Sequence, residues 1–187
     1  KISFDQKPYR KLMMQSFGAK CNPSPSSLTD FGKKLLEENP DNPGSLGIAI
    51  SDAIESVVKS EGKAKYSLGS VLGHVLMHQT INGNEAILQM EQAGDYPDII
   101  VGCTGGGSNL SGLMFPFLGQ QLRGGKKIDI IGCEPLSCPS FTKGKYAYDH
   151  GDMAKMTPLI KMHTLGSDFL PPANHSGGLR YHGMSYH

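Results

Sequence analysis

Asp98-Ile99-Ile100-Val101-Gly102-Cys103-Thr104-Gly105-Gly106-Gly107-Ser108-Asn109 decides the fold. A short apolar run ends in glycines, as a strand buried on both faces of a parallel sheet does. The segment Asn109–Gln121 then places Leu110, Leu113, Met114, Phe117 and Leu118 on one helical face, with Pro116 expected to kink it. Lys127–Cys133 is a second apolar run and reads as a second strand. Strand, helix and strand in this order predict a right-handed parallel crossover and an α/β fold.

The turn between strand and helix is the chemically informative part. Three adjacent glycines let backbone N–H groups approach an anion without a Cβ in the way. The helix N-terminus adds unpaired donors and a favourable dipole. Ser108 offers a hydroxyl and Asn109 an amide or a cap. Gly105, Gly106, Gly107, Ser108 and Asn109 are therefore the candidate phosphate site. No Lys-Ser/Thr pair follows the glycines, as a Walker loop requires. Gly107–Gly112 carries only a fragment of the dinucleotide pattern, with Glu134 after the next strand as its acidic residue. That alternative, and a tight turn without a ligand, stay open here.

Outward from this unit, 7–17 reads as a helix with Pro8 in its first turn, and 19–22 as a short strand. Thr29-Asp30 caps a helix to about Glu38. Ile48–Lys59 is amphipathic, and Gly69–Met90 is a longer helical stretch with glycines in its middle. From Glu134 onward the prolines and glycines predict loop.

Eighteen basic and seventeen acidic residues leave the chain near neutrality, which points away from nucleic acid. No apolar run approaches the roughly 20 residues that cross a bilayer, and Lys1–Gln6 does not resemble a signal peptide. Cys21, Cys103, Cys133 and Cys138 make neither a CxxC pair nor zinc spacing, so buried thiols and a reducing, cytoplasmic compartment are expected. His74 and His78 have metal-ligand spacing but no third ligand, so a core or interface role is expected. His150, His163, His175, His182 and His187 fall in expected loops. Glu134 could face a ligand or cap structure.

Gly102–Asn109 resembles the cofactor-phosphate loop of tryptophan synthase beta chains. Lys7-Pro8-Tyr9-Arg10, Asn42–Ser51, Tyr66–Leu72 and Gly177–Met184 resemble the divergent second type of that chain. The resemblance implies a fold-type II enzyme that uses pyridoxal 5′-phosphate (PLP), with a three-layer α/β/α, parallel-sheet core. It implies β-replacement of L-serine by indole to give L-tryptophan. Gly105–Asn109 would bind the PLP phosphate. Asp168 would position the serine side chain, with the Gly166 backbone near the ring. Residues 1–93 would belong to an N-terminal, mobile domain and 94–187 to the phosphate-binding domain. The family's Schiff-base lysine and catalytic glutamate would lie upstream of Lys1, and the pyridine-nitrogen contacts downstream of His187. The expected fold is thus incomplete and the chain alone inactive. A homodimer and an alpha subunit are the implied partners. Another fold-type II enzyme acting on serine or threonine derivatives, or a non-catalytic phosphate- or nucleotide-binding module, are the competing readings.

Overall fold

Capping chemistry sets the first helices of the computed structural model, which describes residues 1–187. After a short α1 (Ile2–Gln6), Pro8 opens α2 (Pro8–Ser16), where its missing N–H costs no helix bond. Thr29 caps α3 (Asp30–Glu38), its hydroxyl accepting from the Gly32 N–H. Ser45 caps α4 (Leu46–Lys59) in the same way through the Ile48 N–H. The expected strand at 19–22 does not form; those residues lie outside every helix and strand and have no ladder partner.

α5 (Gly73–Ala93) begins later than Gly69 and runs unbroken through Gly83 to a left-handed Gly94. A glycine is needed at its middle because α5 crosses the later helix α6 (Ser108–Leu122) there. A Cβ on Gly83 would lie 2.4 Å from the Leu113 carbonyl oxygen, and one on Gly112 would lie 2.6 Å from Gln79. α6 continues past Pro116 without a break.

β1 (Ile99–Cys103) and β2 (Asp129–Cys133) pair in parallel, from Ile99 opposite Asp129 to Cys103 opposite Cys133. Ile100, Phe117 and Ile128 form a core with Ile87, Leu113 and Met114. Helices α5 and α6 therefore cover one face of this sheet. The other face is open: Ile99, Val101 and Ile131 are 53%, 57% and 47% exposed. This corrects one expectation: the strands are not buried on both faces. The mixed α/β unit, a two-stranded parallel sheet with helices on one face, is compatible with part of the expected three-layer fold. Burial of Cys103 and Cys133 is corrected for the same reason, because both point to the open face; only Cys138 is buried, with Cys21 partly so.

The C-terminal third is not mostly loop. β3 (Lys145–His150), β4 (Leu159–Thr164) and β5 (Gly183–Ser185) form an antiparallel sheet in that order. His150 and His163 therefore sit in strands rather than loops. Buried Asp152 organises the β3–β4 turn. Its carboxylate accepts from Met156 N–H at 3.2 Å, Thr157 N–H at 2.9 Å and the Thr157 hydroxyl at 2.8 Å. It also accepts from the Ser51 hydroxyl at 2.7 Å, which ties the turn to α4. Tyr181 closes the join: it packs with Ile50 and Val71 and donates to the Gly151 carbonyl at 2.7 Å.

Candidate functional site

The glycine turn is held from both ends. Thr104 extends the β1–β2 ladder by donating its N–H to the Cys133 carbonyl at 2.7 Å. The Ser185 N–H donates to the Gly106 carbonyl at 3.0 Å, and the Asn109 side-chain amide donates back to the Cys103 carbonyl at 3.1 Å. Gly107 then enters α6 with φ of 107°, a conformation that favours glycine. Neighbouring chain presses on the turn. A Cβ on Gly105 would lie 2.8 Å from the Gly178 carbonyl oxygen, and one on Gly106 only 2.1 Å from the Ser70 hydroxyl.

With the Gly106 and Gly107 carbonyls engaged, the turn keeps its donors. The N–H groups of Gly105, Gly106, Gly107, Ser108 and Asn109 have no acceptor in the protein. They border a cavity of about 450 Å³ whose other wall is Ser70 and Ser176–Leu179. Neither a carboxylate nor a lysine lines it. A row of free donors, two buried glycines and a helix N-terminus fit a phosphate monoester, PLP's included.

A second cavity of about 230 Å³ meets the first at Ser70. It is apolar, lined by Ile50, Ala53, Tyr66, Leu68, Val71 and Tyr181 among others. Burial pushes the Tyr66 phenol up to about 12 and raises that of Tyr181 as well, so both stay neutral and the cavity is uncharged at neutral pH.

No family model matches the chain. Curated relatives do. It is 59% identical to tryptophan synthase beta chain 2 of Thermotoga maritima over 185 residues, 99% of this chain and 43% of that protein. Identity to the proteins of the same name from Aeropyrum pernix and Pyrococcus furiosus is 56%, again over 99% of this chain and 41% of each. The chain belongs to the tryptophan synthase beta chain family. It spans about 41–43% of the length of these relatives.

Within this member of the beta chain family, the expected site residues divide. Gly105–Asn109 converge on one cavity. Gly166 and Asp168 lie elsewhere, in the turn after β4, and neither lines it. Gly166 has φ of 105° and donates to the Thr164 hydroxyl at 2.9 Å, while Asp168 is exposed. Glu134 has a structural role. Its carboxylate accepts from the N–H groups of Phe141 and Thr142, at 2.8 and 3.0 Å, and from the Thr142 hydroxyl. The acidic partner of a dinucleotide site is thereby occupied. His74 and His78 are both exposed, which corrects a core position; their rings stand edge to face at 6.2 Å. Sequence reasoning missed Ser70 and Ser176–Leu179 as walls of the site. The Gly177-Gly178 pair was the available signal, since adjacent glycines mark a close backbone approach.

Proposed function

We propose that this chain is the phosphate-binding portion of a PLP-dependent tryptophan synthase beta subunit, which condenses L-serine with indole to L-tryptophan. One observation carries the reading: the row of unpaired N–H groups in the glycine turn, facing a cavity that abuts an uncharged apolar one. In the bound state PLP supplies the electron sink for chemistry at the substrate's α and β carbons. The chain's own residues bind and orient. Gly105–Asn109 hold the phosphate through the main chain, and Ser70 stands where the two cavities meet. The mainly apolar lining of the second cavity suits a flat aromatic co-substrate such as indole. Asp168 carries the family's positioning role for the serine side chain, and the Gly166 backbone its place near the cofactor ring. Because no lysine lines the glycine cavity, the group that would anchor the cofactor's aldehyde must come from outside these walls. Residues 1–93 and 94–187 are assigned to the mobile and the phosphate-binding domains. A homodimer, an alpha subunit and a cytoplasmic location complete the proposal; no helix is long and apolar enough to cross a membrane.

The test compares two polypeptides. A full-length protein containing this chain should form tryptophan from serine plus indole. The 187-residue chain alone should form none, yet bind PLP reversibly in competition with inorganic phosphate. Turnover by the chain alone would overturn the reading. Pyruvate from serine, with no tryptophan when indole is present, would favour another fold-type II enzyme. Nucleotide binding without PLP binding would favour the non-catalytic module.

A further inference from the structure

We infer that the cavity at the start of α4 is a second anion site, built on Arg180 and separate from the glycine turn. Arg180 is 7% exposed. Its Nε donates to the Pro172 carbonyl at 3.2 Å; its Nη2 donates to the Gly44 carbonyl at 3.0 Å and the Pro171 carbonyl at 3.2 Å. All three acceptors are neutral. The ion pairs of the molecule join lysines to acidic residues, and none includes Arg180. A buried guanidinium without a counter-ion is costly, and an anion would offset that cost.

The free donor is Nη1. It has no partner in the protein, yet the only sealed, unpartnered side-chain polar atoms are Ser137 Oγ and Ser185 Oγ. Nη1 is therefore not sealed off, and Arg180 lines a cavity of about 250 Å³. The remaining wall suits the same charge. Ser45, the cap of α4, brings a helix N-terminus with its partial positive charge, and its hydroxyl proton is free because the oxygen accepts from Ile48. Ser3 adds a hydroxyl, and no Asp or Glu lines the cavity. Guanidinium, helix N-terminus and hydroxyls together recognise a small oxyanion, either a carboxylate or a phosphoryl group. Gly177 and Gly178 line this cavity and the glycine-turn cavity, so a wall without side chains divides two anion sites.

Calorimetric titration of the 187-residue chain with inorganic phosphate tests this, with sodium chloride at matched ionic strength as the control. Two phosphates should bind per chain. Ser108→Asp places a carboxylate in the glycine turn and should leave one site. Ser45→Asp preserves the helix cap, because Asp caps as well as Ser, and puts a carboxylate beside Arg180. It should weaken the second site at least tenfold and spare the first. Arg180→Lys keeps the charge, loses the planar fork and should also weaken binding. Acetate in place of phosphate distinguishes the ligand source. Saturation by acetate marks a carboxylate site, and saturation by phosphate alone marks a phosphoryl site. The inference is overturned if Ser108→Asp shows no saturable binding of either anion, or if Ser45→Asp still takes up two phosphates with unchanged affinity. Loss of only the glycine-turn phosphate leaves the Arg180 site standing and counts against the proposed function instead.

Discussion

Gly106→Ala tests the glycine turn most directly. The new Cβ would lie 2.1 Å from the Ser70 hydroxyl oxygen and 2.9 Å from both the Ser70 Cβ and its carbonyl carbon. The first contact is with a side chain, but the last is with backbone, so rotation of Ser70 cannot relieve the clash. Gly106 is also tied to Ser185 through its carbonyl, at 3.0 Å, so the turn cannot retreat without breaking that bond. Overpacking of this kind costs about 1–3 kcal/mol. If half of that appears as displacement of the N–H row, phosphate affinity falls by about twofold to twelvefold, since about 1.4 kcal/mol is a factor of ten. Thermal unfolding and phosphate titration read the two parts separately. Ser70→Gly in the same chain removes the hydroxyl and Cβ contacts but not the backbone one, so it should restore part of the loss. A Gly106→Ala chain with undiminished stability and undiminished phosphate affinity would refute the argument that this turn is packed for a backbone-held anion.

Further outcomes follow from packing, charge and exposure. Gly83→Ala drives a Cβ to 2.4 Å from the Leu113 carbonyl oxygen, and because that clash is with backbone the overpacking, about 1–3 kcal/mol, should exceed the gain in helix propensity, about 1 kcal/mol, and lower stability in chemical denaturation. Glu55 is partly desolvated, which pushes its pKa up, but hydrogen bonds from Lys59 and from the Asp30 and Phe31 N–H groups outweigh this and hold it at about 2. A depressed carboxylate stabilises the fold above its unfolded value, and that contribution disappears as pH falls from 4.5 towards 2. Glu55→Gln should flatten the stability–pH curve in that window. With a thiol reagent under native conditions, Cys103 and Cys133 should react and buried Cys138 should not. Phosphate or PLP should slow Cys103, which lines the glycine cavity, more than Cys133.

Much of this molecule was legible where structure is local. Thr29 announces a helix cap and Pro8 a first turn. The run Ile99–Cys103 followed by three glycines announces a strand, an anion turn and a helix in one stretch. What stayed hidden depended on partners distant in sequence. β3 and β4 carry Lys145, Asp149 and Lys161 among their residues, so no alternation marked them as strands; they form because each supplies the other's ladder and Asp152 ties off the turn. The apolar run of β1 showed that something covers the strand without showing which face. Only the pattern of exposed Ile99 and buried Ile100 resolves that.

The glycines reveal the same limit and a way past it. Gly83 interrupts the expected long helix and Gly112 falls within the next one, yet each stands where α5 and α6 cross with no room for a Cβ. Gly105 and Gly178 lie far apart in sequence and also meet closely, since a Cβ on Gly105 would lie 2.8 Å from the Gly178 carbonyl oxygen. A glycine inside a regular element therefore reports a close neighbour, although not its name. The pair Gly177-Gly178 needs no helix or strand of its own, because its backbone forms the partition between the glycine-turn cavity and the Arg180 cavity. A Cβ on either would meet nothing within 4 Å, so side chains there would occupy open space beside the two cavities, and that places the C-terminal glycines, as much as the glycine turn itself, among the residues that shape what this chain can bind.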